Sequence, residues 1–162
     1  MTSVAVLGDS SVGKTAFMHR VINGRVPLNI FTSTGVETYQ WLGALDSVAY
    51  FHVVPGASTT LELAHAIEGK EAVLVLYNSD VRQARQWLYR ASQGVHGMNS
   101  VPVLVVCTGT GEAQVGPLLR AYRNAEHAVV RSLVASQDCI NRIVMRARRD
   151  LPSPLQLRRP VE

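Results

Sequence analysis

Lysine is almost missing from this chain of 162 residues: Lys14 and Lys70 are the only two, although lysine and arginine together number 16. Cysteine is equally scarce. Cys107 and Cys139 are too few for a disulfide framework and are interpreted as buried thiols in a reducing compartment. The longest apolar runs, residues 72–77 and 101–107, are far shorter than the roughly 20 residues of a membrane-spanning helix.

Targeting signals are also lacking. The first residues lead directly into a strand pattern, with no basic stretch ahead of an apolar one, so we expect no secretory signal. Neither cysteine lies near the last residues, so we expect no prenylation box. These features predict a cytoplasmic protein without a lipid anchor.

Positive charge is concentrated toward the end of the chain, within a net charge of +4. The pattern fits either attraction to anionic lipid or nucleic acid, or a solvated last helix whose cations suit the helix dipole. We favour the helix, because no aromatic residues alternate with the arginines as in a nucleic-acid platform, and we expect no nucleic-acid partner. The arginines in question are Arg142, Arg146, Arg148, Arg149, Arg158 and Arg159.

Strand and helix patterns alternate along most of the chain. We expect strands at residues 4–7, 36–42, 48–54, 72–77, 101–107 and 128–133, and helices at 14–23, 60–67, 81–93, 112–124 and 136–150. This order predicts an α/β fold: a mostly parallel sheet of about six strands with one antiparallel edge strand, and about five helices on both faces. Residues 1–150 form the predicted domain. Pro152, Pro154 and Pro160 stop further helix, so residues 151–162 are predicted to be a short tail.

The strongest motif directly follows the first strand and opens the first helix. It meets every fixed position of the Walker A pattern G-x-x-x-x-G-K-[ST], whose backbone N–H groups cradle phosphate oxygens. In that pattern the lysine reaches the terminal phosphates, and the last hydroxyl can ligate Mg²⁺. The residues predicted to bind a nucleotide are Gly8, Asp9, Ser10, Ser11, Val12, Gly13, Lys14 and Thr15.

The stretch from Val6 to Thr15, V-L-G-D-S-S-V-G-K-T, resembles the opening of a Rab-type small GTPase of the Ras superfamily. The resemblance covers nearly the whole chain in the order and spacing of its elements, which implies a P-loop Ras-like domain. It also implies a switch threonine that ligates Mg²⁺. Thr34 is the counterpart we favour, with Thr32 as the alternative, so Thr15 and Thr34 are the predicted metal ligands.

Other family motifs are absent. Where the family has D-T-A-G-Q, this chain has Val53-Val54-Pro55-Gly56-Ala57, so the magnesium-holding aspartate and the catalytic glutamine are replaced by Val53 and Ala57. Residues 108–111, T-G-T-G, replace the guanine-reading N-K-x-D, and Glu112 comes one place late. Ser132-Leu133-Val134-Ala135 is a weak counterpart of the S-A-K motif.

Three functional hypotheses follow. The first is an atypical small GTPase-like protein that binds GTP or GDP, with a weakened Mg²⁺ site and little or no hydrolysis, and acts through a protein partner on its switch side. The second is a nucleotide-free pseudoGTPase scaffold or assembly subunit. The third, which we favour least, is a hydrolase with a displaced acid, for which Asp80 is the nearby candidate.

Two further residue groups have competing interpretations. Tyr39, Trp41 and Tyr50 fit ordinary strand packing better than an exposed aromatic surface for a partner. The histidines lie too far apart in sequence for a convincing metal site, so we expect them to be hydrogen-bonded or solvent-facing. They are His19, His52, His65, His96 and His127.

Overall fold

The computed structural model describes residues 2–22, 30–31, 35–43, 47–109 and 114–158. The strands within these ranges are β1 (Thr2–Leu7), β2 (Ile30–Phe31), β3 (Glu37–Leu42), β4 (Val48–Val53), β5 (Ala72–Tyr77), β6 (Val95–His96), β7 (Val103–Cys107), β8 (Ala125–Val129) and β9 (Gln156–Leu157). The α-helices are α1 (Lys14–Val21), α2 (Thr60–Ile67), α3 (Val81–Gly94), α4 (Gly116–Ala121) and α5 (Leu133–Asp150).

Seven of these strands form one sheet in the order β2-β3-β4-β1-β5-β7-β8. Strand β1 pairs in parallel with β4 and β5, and the parallel series continues through β7 to β8. Strand β3 is antiparallel to both β2 and β4. The predicted α/β class with a mostly parallel sheet is confirmed. The antiparallel strand β3 was predicted to form an edge of the sheet. It does not, because β2 pairs with its outer side and forms that edge.

Each face of the sheet carries its own core. Helices α1 and α5 pack on one face, where Phe17 and Ile143 meet Val4 and Val6 of β1. Helices α2, α3 and α4 contribute to the core on the other face, which contains Ala5 and Leu7 of the same strand. Alternate residues of β1 therefore enter opposite cores, which explains why a strand buried on both faces is continuously apolar.

The largest boundary differences lie late in the chain. Strand β8 begins at Ala125, ahead of the apolar run on which it was predicted, because an edge strand is only half covered and tolerates polar residues such as Glu126. Ser132 caps α5 through its side chain, so this helix starts at Leu133. Helix α4 is shorter than predicted and begins beside Pro117.

The predicted tail is packed where the structure describes it. Strand β9 pairs antiparallel with β6, forming a small second sheet that the sequence did not reveal. The Leu155 side chain is buried in the α2–α3 core, and its carbonyl accepts from Gly69 N at 2.7 Å. Residues 151–158 thus differ from a free tail, because one apolar side chain and a two-residue ladder attach them to the domain.

The basic cluster agrees only in part with the favoured interpretation, because Arg142 and Arg149 are exposed on α5 whereas three other arginines bond to the domain. Arg146 is 9% exposed and donates from Nη2 to Asn124 O at 2.6 Å. Arg148 donates from Nη2 to Val48 O at 3.0 Å, and Arg158 donates to Ser92 O at 2.9 Å. These three guanidinium groups bond to main-chain carbonyls, so they attach the end of α5 and the following segment to the domain. Among the described helices, none is long and apolar enough to span a bilayer.

Candidate functional site

The candidate site lies at the edge of the sheet where the parallel strands end. In open α/β sheets, ligands bind outside the carboxyl ends of the strands. Here the segment after β1 and the loop after β4 meet at this edge, beside the start of β3. The first of these, residues 8–15, is the segment that the sequence singled out, and we call it the 8–15 segment.

Gly13 makes the turn from this segment into α1. Its φ of 83° and ψ of 41° lie in the left-handed region, which glycine enters without steric cost. Ser10–Val12 form a single 3₁₀ turn, and Val12 N donates to Asp9 O at 3.1 Å. The chain therefore folds back over the helix start.

Lys14 is the most unusual group in the 8–15 segment. It is only 6% exposed, and its ammonium donates to Gly8 O at 2.5 Å and to Asp9 O at 3.1 Å. Among the described residues, no carboxylate oxygen lies within ion-pair distance of this nitrogen. Burial lowers the pKa of Lys14, and the carboxylates of Asp9 and Glu37 oppose that shift from further away. A buried cation held by neutral carbonyls favours an anion beside it.

The start of α1 differs from the starts of three other helices. Side chains of Thr59, Asp80 and Ser132 accept backbone N–H bonds at the starts of α2, α3 and α5. Gly13, at the same position of α1, has no side chain to offer. The first N–H groups of a helix attract negative charge, so α1 begins with a favourable place for an anion.

Thr15, the predicted metal ligand in this segment, is hydrogen-bonded to a carboxylate. Its Oγ1 donates to Glu37 Oε2 at 3.1 Å, and the Tyr39 hydroxyl donates to the same oxygen at 2.5 Å. Burial, followed by the bond to Glu37, raises the pKa of Tyr39 to about 12, so its hydroxyl remains a donor. The sequence reasoning did not assign Glu37 a role, because the residue follows a loop and lies far from Thr15 in sequence.

The side chain of Asp9 contacts α3. The Trp87 indole N–H donates to Asp9 Oδ1 at 2.8 Å, and Arg90 lies 4.7 Å above the Trp87 ring centroid. Arg90 also donates to the carbonyl of Ser58 in the loop after β4. Trp87 is a buried residue of α3 and belongs to the core on that face of the sheet. Its bond to Asp9 was missed because no local pattern reports a contact across 78 residues.

The loop after β4 lies directly against the 8–15 segment. A Cβ atom at Gly56 would overlap the backbone nitrogen and the hydroxyl oxygen of Ser10, so only glycine fits at this approach. Val53 and Val54 are buried apolar residues, and Ala57 is exposed. The loop therefore brings its backbone, and no acid or amide side chain, to Ser10.

Asp80 is occupied within its own helix turn. Its Oδ1 accepts from Arg82 N at 2.9 Å, and its Oδ2 lies 2.7 Å from Arg82 Nη2. Hydrogen bonds from Arg82 lower the pKa of Asp80, so the group is an ionised helix cap. This arrangement disfavours the displaced-acid hydrolase hypothesis.

The segments predicted to face a base are described only in part. Thr108 N donates to Tyr77 O at 2.9 Å, and Ser132 accepts from Ala135 N at 3.1 Å as a helix cap. Residues 110–113, which include Glu112, lie outside the described residues, as do Thr32 and Thr34. The second predicted metal ligand, Thr34, therefore stays a prediction.

The aromatic residues of β3 and β4 do not form one surface. Tyr39 is fully buried and pairs across the strands with Phe51, whereas Tyr50 pairs with Gln40 and so faces the other side of the sheet. Trp41 packs against the α1–α5 core. Strand packing is thus the correct interpretation, and the alternative of an aromatic partner surface is wrong.

The histidines have ordinary partners where these are described. His52 Nδ1 lies 3.1 Å from Thr38 Oγ1, and His127 Nε2 lies 2.6 Å from the Tyr77 hydroxyl. Within the described ranges, no three side chains of His, Cys, Asp or Glu cluster as a metal site would need. A metal at this edge would therefore need hydroxyl, phosphate or water oxygens in addition to any single carboxylate.

Comparison with known proteins gives no match, either to a protein-family model or to a curated sequence. The class defined by the fold is α/β with a mostly parallel sheet. Any finer assignment has to be argued from the 8–15 segment and its neighbours.

Proposed function

We propose that this chain is an atypical, Rab-like small GTPase-like protein of the Ras superfamily. It binds a nucleoside di- or triphosphate through the 8–15 segment, hydrolyses it little or not at all, and acts through protein–protein interaction. The nucleotide we favour is GTP or GDP, with Mg²⁺ as a possible companion ion. The motif and its position between a strand and a helix support a P-loop domain.

The observation that carries the proposal is the buried ammonium of Lys14. An ammonium has three donors, and two carbonyls account for two of them. A phosphate oxygen would satisfy the third donor and neutralise the charge at once. The uncapped start of α1 would supply backbone N–H groups to the same anion.

The weakness of the expected hydrolysis follows from the loop after β4. Hydrolysis in this class depends on groups that orient water and stabilise charge in the transition state. Val53 and Ala57 offer neither, and Pro55 has no N–H to donate. The structure around Gly56 therefore supports nucleotide binding more than turnover.

Two large exposed side chains support a protein partner on this side of the domain. Leu61, in the first turn of α2, is 68% exposed, and Tyr89 of α3 is 61% exposed. Helices α2 and α3 pack together and flank the loop after β4. Exposed aromatic and aliphatic side chains of this size are common in protein interfaces.

The test is a calorimetric titration of the purified protein with GTP, GDP and ATP in the presence of Mg²⁺. We expect binding, and a loss of affinity of about 100-fold or more in Lys14→Ala, because the variant lacks the cation beside the phosphates. Lys70→Ala is the matched control. Lys70 is the other lysine, and it donates to Glu68 O away from the site. Absence of heat with all three nucleotides would refute the proposal.

A nucleotide-free scaffold is the second candidate. The close approach of Gly56 to Ser10 favours it, because the loop after β4 already occupies space beside the 8–15 segment. A scaffold predicts no thermal shift with any nucleotide and no nucleotide released from denatured protein. A guanine nucleotide released on denaturation would support the first candidate and identify the base.

A further inference from the structure

The carboxylate of Glu37 reaches the candidate phosphate site from a strand other than the one expected to provide an acid. Its Oε2 accepts from Thr15 Oγ1 at 3.1 Å, and Thr15 is the hydroxyl residue that ends the 8–15 segment. The same carboxylate is close enough to Lys14 to affect its pKa. Glu37 thus brings a negative oxygen to the one hydroxyl that the motif assigns to a cation.

The pairing of β3 with β4 explains how Glu37 arrives there. Because β3 is antiparallel to β4, the first residue of β3 lies at the sheet edge where β4 ends, and Glu37 pairs directly with Val53. Side chains of directly paired residues point to the same side of the sheet, with Cβ atoms about 5 Å apart. A carboxylate on residue 37 therefore reaches nearly the same space as one on residue 53, where this chain has valine.

We propose that Glu37 supplies the protein carboxylate for a divalent cation, Mg²⁺ in the first instance, which Thr15 and the phosphates of a bound nucleotide also ligate. The inference rests on the proposed nucleotide binding. Its donor set fits the ion: Mg²⁺ takes hard oxygen ligands and is commonly bound by one or two carboxylates, phosphate oxygens and waters. One carboxylate and one hydroxyl are too few to hold it alone, so binding of the cation requires the nucleotide.

Tyr39 is the positioning residue for this carboxylate. Its ring is fully buried, and its hydroxyl donates to Glu37 Oε2 at 2.5 Å. A hydrogen bond of this kind fixes the orientation of a metal-ligating carboxylate, and its loss commonly weakens metal binding by about 10–100-fold. Tyr39 therefore acts through Glu37 and does not contact the ion.

The test measures nucleotide dissociation with Mg²⁺ and with EDTA, using a fluorescent GDP analogue, in the wild type and in Glu37→Gln. In the wild type we expect Mg²⁺ to slow dissociation. In Glu37→Gln we expect most of that effect to disappear, while the rate in EDTA stays within about threefold, since neutral glutamine keeps the shape but binds a hard cation poorly. The matched control is Glu68→Gln, an exposed acid just after α2 that keeps the full Mg²⁺ effect.

Direct binding of Mn²⁺, followed by electron paramagnetic resonance on the GDP complex, gives a readout independent of turnover. We expect about 10–100-fold weaker Mn²⁺ binding in Tyr39→Phe and a larger loss in Glu37→Gln, with nucleotide affinity in EDTA retained by both. Retained affinity in EDTA also shows that the variants are folded. A purely structural role of Tyr39 would change both measurements together.

The outcomes separate the two proposals. If the wild type binds no nucleotide in either condition, the proposed function fails, and the metal site fails with it. If the wild type binds nucleotide but Mg²⁺ has no effect, or if Glu37→Gln keeps the full effect, the metal assignment alone is overturned.

Discussion

Two buried cations, at opposite edges of the same sheet, have very different partners. Lys14 lies where the parallel strands end, and its ammonium has two loop carbonyls as acceptors. Arg146 lies where the strands begin, and its guanidinium bonds to the carbonyls of Val103 and Asn124 and approaches Glu126 at 3.7 Å. The arginine bonds join three chain segments, whereas the acceptors of the lysine among the described residues occupy two of its three donors. The buried charge of Arg146 therefore stabilises the fold, whereas in our proposal the buried charge of Lys14 binds phosphate.

The largest expected effect on stability is that of Arg146→Ala. The change removes the buried guanidinium that bonds to the carbonyls of Val103 and Asn124 where β7 and β8 begin. The Asn124 carbonyl keeps a bond from Val103 N, but two bonds to a charged group are lost, so we expect about 2–4 kcal/mol less free energy of unfolding. Urea denaturation without nucleotide measures it. Lys14→Ala should cost less than about 1 kcal/mol there, because a buried ammonium contributes little to folding once its desolvation is counted.

The control for this comparison is Arg142→Ala on the exposed face of α5, which should change stability by no more than about 0.5 kcal/mol. Equal losses of unfolding free energy in Arg146→Ala and Arg142→Ala would show that the bonds of Arg146 do not stabilise the fold. A large loss in Lys14→Ala would remove the contrast between the two edges.

His52 extends the comparison to a half-buried group that is kept neutral. Burial, with a smaller effect from Lys70, lowers the pKa of His52 to about 4. The unfolded chain binds this proton near pH 6.5, so the stability contribution is complete above that pH and is lost as the pH falls toward 4. Allowing for partial exposure, we expect about 1–2 kcal/mol to be lost over this window.

Urea denaturation at pH 7 and pH 5 checks the His52 prediction. The pH effect should be smaller in His52→Asn than in the wild type. His65→Asn, which changes an exposed histidine of α2, should keep the wild-type pH dependence. Burial lowers the pKa of His127 as well, so some acid sensitivity should persist in every variant. An identical pH response in His52→Asn and the wild type would contradict the assignment.

The smallest effect expected is that of Trp87→Phe, which removes the bond to Asp9 while keeping an aromatic ring in the core. Because Asp9 is only partly buried, we expect about 1 kcal/mol less stability and a several-fold lower nucleotide affinity. Thermal denaturation and calorimetry measure the two. Trp41→Phe is the control, since Trp41 packs on the core away from the 8–15 segment. An unchanged nucleotide affinity in Trp87→Phe would show that this bond does not support the segment.

Local sequence patterns predicted correctly the helices and strands whose bounds depend on residues near one another in the chain. The bounds of α2 and β5 agree with the prediction, because a capping box begins the helix and an unbroken apolar run forms a strand covered on both faces. The position of β8 was wrong, because an edge strand with polar residues has no distinctive periodicity. Residues 151–158 were predicted as a tail since prolines exclude helix, but prolines do not exclude packing through Leu155.

The residues of the candidate site also fall into those that the sequence pattern indicated and those that it did not. Gly13, Lys14 and Thr15 could be found from the sequence, because a backbone turn, a cation and a hydroxyl at fixed spacing carry one chemistry. Glu37 and Trp87 could not. Their roles depend on strand register and helix packing, which bring residues together across 22 and 78 positions.

The sequence by itself determined the α/β class and the 8–15 segment, because both depend on contacts between residues near one another in the chain. Only the tertiary structure decided how the charged groups are used. It made Arg146, Arg148 and Arg158 donors to main-chain carbonyls and placed Glu37 against Thr15. Hydrogen bonds and electrostatic interactions act over a few ångströms of space, and the fold alone determines which distant residues come within that range.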